Sequence, residues 1–271
     1  MSARRPRYWA LVAGLAAAAL ALAGCAAGSS GSGSGIDSAS PSTEPKLSGT
    51  VTIFAAASLT EVFGEAKTIF EKQHPGVEVV LNFGGSSALA EQILSGAPAD
   101  VFAAASPATM TTVADGGAAA GAPTTFATNT LEIAVPKDNP GKVTKLADFA
   151  DASRTIAICA PEVPCGAAAV KVFQSAGITA APDTLEQDVK GVLTKVSLGE
   201  ADAGLVYRTD VLTAGAAVKG IPFDEAADAV NDYPIAVLKD APSPDAAKAF
   251  VDWVLSDAGQ KLLAKAGFGA A

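Results

Sequence analysis

The chain is short of the residues on which most enzymes and metal sites depend. Its 271 residues include one histidine, two methionines, two tryptophans, three cysteines and three tyrosines. With His74 as the sole imidazole, a Ser-His-Asp arrangement has one possible base. That residue lies in the turn sequence Lys72-Gln73-His74-Pro75-Gly76 with no nucleophile motif around it. Of the tyrosines, Tyr8 falls in the leader, so Tyr207 and Tyr233 are too few for a tyrosine-rich iron site. Basic residues are also scarce, 19 against 28 acidic, a formal charge of −9 that argues against nucleic acid. Gly84-Gly85-Ser86-Ser87 is not followed by Gly-Lys-Ser/Thr, which excludes a Walker phosphate loop. No repeat of fixed period is present. An enzyme is therefore not expected, and no cofactor is called for.

The one long apolar run is N-terminal. Arg4, Arg5 and Arg7 precede an apolar stretch from Trp9 to Ala23, too short for a comfortable membrane span. Leu22-Ala23-Gly24-Cys25 looks like a bacterial lipobox, which implies a signal peptide over 1–24 and a lipid on Cys25. The alternatives are a plain secretory signal or an uncleaved anchor. Residues 25–47, rich in Ser, Gly, Ala and Pro, cannot bury enough surface to order themselves and read as a tether. The folded part is then 48–271, enough for one domain or two lobes. Without the leader, 16 basic side chains face 28 acidic ones, a formal charge of −12. Net charge would not steer an anion inward, so any anion site must act through local N–H dipoles and hydroxyls.

Cys159 and Cys165 flank Ala160-Pro161-Glu162-Val163-Pro164. In an exported protein this pair reads as a disulfide across a proline-braced loop, with about 2–2.5 kcal/mol of loop-closure entropy. A metal site is the rival reading. It would need two further ligands, and the only histidine is in a turn.

Hydrophobic spacing predicts alternating elements. Strands are expected at 51–57, 77–83, 99–104, 131–135, 155–159, 203–207 and 233–238. Helices are expected at 58–73, 86–95, 107–113, 166–176, 188–198, 210–214, 243–255 and 256–265, with a short one at 146–149. Residues 115–126 read as partly irregular. The order βαβαβα calls for a parallel sheet covered by helices. The late strand suggests two lobes, 48–128 plus 235–271 and 129–234, with the chain crossing near 128–131 and returning near 228–234. The expected class is α/β, each lobe a mostly parallel sheet flanked by helices, with ligand in the cleft between them.

Two strand ends stand out. Val51-Thr52-Ile53-Phe54-Ala55-Ala56-Ala57 runs into Ser58, and Val77-Glu78-Val79-Val80-Leu81-Asn82-Phe83-Gly84-Gly85 into Ser86. Ligands bind open α/β sheets at the carboxyl ends of their strands, and helix N-termini suit anions. Ser58 and Ser86 are equally suited to be plain N-caps. Asp100 and Asp210 read as helix-end or turn carboxylates.

Six segments in order resemble one family. Phe54-Ala55-Ala56-Ala57-Ser58-Leu59-Thr60, Gly84-Gly85-Ser86-Ser87-Ala88-Leu89-Ala90 and Gly96-Ala97-Pro98-Ala99-Asp100-Val101-Phe102 are similar to the molybdate-binding component of bacterial molybdate ABC transporters. So are Pro161-Glu162-Val163-Pro164-Cys165-Gly166, Asp188-Val189-Lys190-Gly191-Val192-Leu193 and Ala203-Gly204-Leu205-Val206-Tyr207-Arg208-Thr209-Asp210. The resemblance implies a two-lobed periplasmic-binding-protein fold of type II that closes on a tetrahedral oxyanion, molybdate or tungstate. It implies that Ser58 and Ser86 each give a hydroxyl and a backbone N–H, that Cys165 and Val189 give N–H groups, and that Tyr207 gives its phenolic O–H. The metal would be held through its oxygens only. It also implies a monomer, held at the outer face of the cell membrane by its lipid, that hands the anion to an ABC permease and its ATPase. A receptor for another oxyanion such as sulfate is the alternative. This sequence has Cys165 where the family commonly has alanine, and Gly85 in place of a serine. The first change leaves an N–H contact unaffected, and the second removes a hydroxyl.

Overall fold

A computed structural model of the protein describes residues 47–271. The expected signal peptide, Cys25 and nearly all of the tether lie outside them. In chain order the strands are β1 (Gly49–Ala56), β2 (Val77–Gly84), β3 (Val101–Ala103), β4 (Thr124–Asn129), β5 (Leu131–Pro136), β6 (Ile156–Cys159), β7 (Thr184–Glu186), β8 (Ala203–Tyr207), β9 (Val218–Ile221) and β10 (Asn231–Val237). The helices are α1 (Thr60–Gln73), α2 (Ser86–Leu94), α3 (Pro107–Asp115), α4 (Pro164–Ala176), α5 (Val189–Ser197), α6 (Arg208–Ala214), α7 (Pro244–Leu255) and α8 (Asp257–Lys265).

The strands form two sheets of five, ordered β2-β1-β3-β10-β4 and β7-β6-β8-β5-β9. In each, four strands run one way and one, β10 or β5, runs against them. The two sheets thus share one plan, a parallel trio extended by a reversed strand and an edge strand. Each is flanked by helices, as the α/β expectation required.

Each sheet has its own core and, with its helices, forms a lobe. One core gathers Val51, Ile53, Phe63, Phe70, Phe126, Tyr233 and Phe250. The other gathers Ile133, Phe149, Ile156, Val172, Val192 and Leu205. Helix α1 turns Val62, Phe63, Ala66 and Phe70 inward at helical spacing, and Phe250 of α7 meets the Phe70 ring edge-on at 5.3 Å.

Three strands escaped the sequence pattern. β4 begins inside the stretch expected to be irregular, because Thr124 and Thr125 pair with β10 and Phe126, at a break in the register, fills the core. β7 and β9 are short edge strands with few buried side chains, so no alternation marks them. Helix α4 also starts two residues before the expected Gly166, with Pro164 in its first turn, where a missing N–H costs nothing.

The crossover places the cleft. Only Thr130 separates β4 in one sheet from β5 in the other, and the chain returns as β10 beside β4, with Asn231 opposite Asn129. The Thr130 carbonyl accepts the N–H of Arg208 at 2.9 Å, tying the crossing to the start of α6.

Candidate functional site

One pocket collects the N-terminal ends of helical elements from both lobes. Its lining includes Ser58, Gly85 and Ser86 from the first lobe and Cys165, Val189 and Tyr207 from the second. It holds about 220 Å³ of empty space, some of it open to solvent. The part enclosed by the protein is far smaller, about 20 Å³, which suits a ligand of few atoms rather than a drug-sized one.

Local folding explains why these residues arrive there. β1 ends in a short 3-10 turn, Ala57–Leu59, before α1. β2 ends at Gly84, and Gly85 caps α2 so that Ser86 is its first residue. Pro164 opens α4 with Cys165 next to it. Asp188 caps α5 by accepting the Gly191 N–H at 2.9 Å, which leaves Val189 as the first helical residue. Tyr207 ends β8 and caps α6. Five helical N-termini therefore border one space, and such ends suit negative charge. No lysine, arginine or histidine lines the pocket. Its one acid, Asp188, already spends a carboxylate oxygen on the α5 cap.

All five residues implied by the resemblance line this pocket, and each is nearly inaccessible. Neither serine caps its helix, so that bland reading fails for both. Instead, the Ser58 hydroxyl lies 2.9 Å from the Tyr233 hydroxyl, and Ser86 Oγ accepts the Ala105 N–H at 3.1 Å. The Tyr207 hydroxyl is buried without a hydrogen-bond partner. A buried hydroxyl without a partner, on a residue that lines a pocket, has its donor capacity unspent. Burial, then the neighbouring Tyr233 and Asp210, pushes the Tyr207 phenol well above its ordinary value, so it stays protonated and able to donate.

Cys159 and Cys165 are joined in a disulfide with Cα atoms 5.7 Å apart. The loop between them folds back so closely that a Cβ on Gly166 would overlap the Ala160 carbonyl. The bridge thus braces the turn that places Cys165 in the pocket lining. The rival metal reading has no support: among the described residues, no group of three or more His, Cys, Asp or Glu side chains could hold a metal ion.

The cleft is shut. Ser87 Oγ donates to the Glu162 carbonyl at 2.7 Å, and Lys190 Nζ of the second lobe meets both carboxylate oxygens of Glu61 at 2.8 and 2.9 Å. Gly85 lies so near the Gln187 carbonyl that a Cβ there would collide with it. Lys190 also pairs with Asp210 at 3.0 Å, and Asp210 accepts the Tyr207 N–H at 3.1 Å. Burial raises the Asp210 carboxyl to about 6, against the pull of Lys190. Burial also works against the Lys190 charge, but Asp210 and Glu61 lift its pKa above the usual lysine value.

Sequence reasoning missed Tyr233, Asn129, Glu61 and the ion-pair role of Asp210. Tyr233 had one available signal, as one of only two tyrosines beyond the leader. The partnership of Glu61 with Lys190 spans 129 residues and leaves no local trace. Asp100, read as a turn carboxylate, is structural: it accepts the N–H groups of Thr52 and Ser243.

Known proteins are similar to this chain. Residues 51–269 match the family described as bacterial extracellular solute-binding protein. The Mycobacterium tuberculosis H37Rv protein named molybdate-binding protein ModA is 42% identical over 231 residues, covering 85% of this chain and 88% of the relative. The Escherichia coli K12 protein of the same name is 34% identical over 238 residues, covering 81% and 89%. Among solved structures, the Azotobacter vinelandii periplasmic molybdate-binding protein gives a TM-score of 0.72 at 22% identity, covering 82% of this chain and 99% of that one. At that identity the likeness is one of fold.

Proposed function

This chain belongs to the bacterial extracellular solute-binding proteins, in the branch that includes the ModA proteins, and we propose that it captures molybdate, and tungstate equally, in the pocket between its lobes. It is a transport protein, not an enzyme, and takes its ligand without a cofactor. Ser58 and Ser86 give hydroxyl and N–H donors, Cys165 and Val189 give N–H groups, and Tyr207 gives its phenol. We take the two lobes to divide where the chain crosses between the sheets, at Thr130 and Asn231, and to close over the anion and open there.

The observation that carries this reading is the pocket itself: buried, without a cation, and lined by donors from both lobes. Such a shell matches an anion that carries no proton, since a ligand O–H meeting only donors costs about 1–3 kcal/mol. Sulfate is also proton-free at neutral pH and is rejected by size alone, which makes it the second reading. The loaded protein delivers its anion to an ABC permease with its ATPase. A lipid on Cys25 would hold the monomer at the outer face of the membrane. No helix among the described residues is long and apolar enough to cross one.

A thermal-shift titration with molybdate, tungstate, sulfate and phosphate tests the assignment. Ligand at a hundredfold excess over Kd adds about 2.7 kcal/mol, or roughly 5–10 °C at this size. A shift with molybdate and tungstate and none with phosphate is expected. A shift with sulfate and none with molybdate overturns the reading.

A further inference from the structure

Asn231 stands where the chain re-enters the first sheet, opposite Asn129 in the β4–β10 ladder, and it is buried. Its side-chain NH₂ donates to the Ala105 carbonyl at 2.7 Å. The direction of this bond is fixed, because a carbonyl oxygen can only accept. The Ala105 N–H, which can only donate, goes to Ser86 Oγ at 3.1 Å. Asn231 and Ser86 are therefore joined through the carbonyl and the N–H of a single residue.

Ala105 lies in a short link. β3 ends at Ala103, and Ser106 already caps α3 by accepting the Thr109 N–H at 3.3 Å. β10 holds this link twice. Its main chain takes the Ala104 N–H at the Pro234 carbonyl, 3.0 Å away, and its Asn231 side chain takes the Ala105 carbonyl. Only the second tie depends on a side chain. Ser86, for its part, is buried in the pocket lining, and among the described residues its hydroxyl meets one hydrogen-bond partner, the Ala105 N–H. A serine Oγ turns among staggered wells, so that N–H decides where the hydroxyl stands. Asn231 is absent from the pocket lining and borders a separate groove with Ser106 and Lys171, so a change there leaves the walls of the pocket as they are.

We propose that Asn231 is a positioning residue for anion capture: it anchors Ala105, whose N–H holds the Ser86 hydroxyl in place at the pocket. The proposal rests on the oxyanion-binding reading above. A hydroxyl held before the ligand arrives has less freedom to lose on binding.

The test is a double-mutant cycle read by calorimetric titration with molybdate at pH 7. Asn231→Leu keeps the side chain's bulk and removes its donor. Alone it should weaken molybdate about three- to tenfold, the worth of one hydrogen bond. In a Ser86→Ala background that loss should vanish, because no hydroxyl remains to be placed, and in a Ser58→Ala background it should persist in full. A merely structural role would give the same loss in both backgrounds. That result, or no loss in the single variant, overturns the proposal. Should Asn231→Leu not fold, Asn231→Ala reads the same cycle. A second readout needs no ligand: amide hydrogen exchange at Ala105 should quicken at least about fivefold in Asn231→Leu while the amides of β1 hold theirs. Unchanged exchange at Ala105, or equal quickening throughout, also overturns the proposal. Failure of the wild type to bind molybdate would instead strike the functional reading, and exchange at Ala105 would still decide the part played by Asn231.

Discussion

The hydroxyls of Ser58 and Tyr233 meet at 2.9 Å although 175 residues separate them. The contact joins the end of β1 to the strand by which the chain re-enters the first sheet. A residue of the pocket lining is thereby held by the strand at which the chain returns between the lobes.

Removing the serine hydroxyls should separate binding from folding. Neither serine caps its helix, so Ser58→Ala and Ser86→Ala each lose a single hydrogen bond, about 0.5–1.5 kcal/mol of apo stability. Each should weaken molybdate by at least tenfold, and together they should erase the thermal shift. A double variant that still shifts with molybdate would place the anion elsewhere.

The Glu61–Lys190 contact spans the cleft and is half exposed, so Glu61→Gln should cost under about 1 kcal/mol and weaken the anion by no more than about fivefold. Lys190→Met is different. It strands the buried Asp210 carboxylate and should lower stability by roughly 3 kcal/mol, as read by urea unfolding. Equal effects from the two variants would refute this division.

Acidity should strengthen binding through Asp210. Its carboxyl stands at about 6, above the ordinary 3.8, so the folded protein keeps a proton that the unfolded chain has lost. The stability from this group is full below about pH 4 and is lost as pH rises to about 6. Lys190 and Glu61 face it from α5 and α1, and Tyr207 and Tyr233 from β8 and β10. A bound dianion repels the carboxylate and raises it further, so the complex takes up a proton. Kd should fall roughly three- to tenfold from pH 7.5 to 5.5, equivalent to half to one unit of pKa. Asp210→Asn should flatten that slope in calorimetry, and an unchanged slope would exonerate Asp210.

Reducing the Cys159–Cys165 bridge should cost about 2–2.5 kcal/mol and also weaken the anion, because the same turn presents the Cys165 N–H. Thermal scans with and without reductant, each with and without molybdate, resolve the two effects. A lower melting temperature with unchanged molybdate Kd would mean that the bridge braces the fold alone.

Much of this was legible before any coordinates. The βαβ order, the two lobes and the cysteine pair follow from periodicity, length and compartment. The serine positions follow from strands that end in small residues. Cys165 and Val189 contribute only backbone, and no residue type announces a backbone donor; family resemblance alone pointed to them. Tyr233 and Asn129 stayed hidden for another reason. Their contacts join segments distant in the chain, Tyr233 to Ser58 and Asn129 to Thr209. Edge strands β7 and β9 were lost because strands with little burial carry little pattern.

The pocket without a cation inverts the usual influence of salt on capture. On an acidic protein, with 28 acidic and 19 basic side chains, a dianion approaches against long-range repulsion and gains only at contact. Dissolved electrolyte screens that repulsion within about 10 Å at 0.1 M and leaves the buried dipoles untouched. Association should therefore quicken in brine while dissociation stays level, a kinetic profile suited to scavenging a trace anion from ion-rich surroundings.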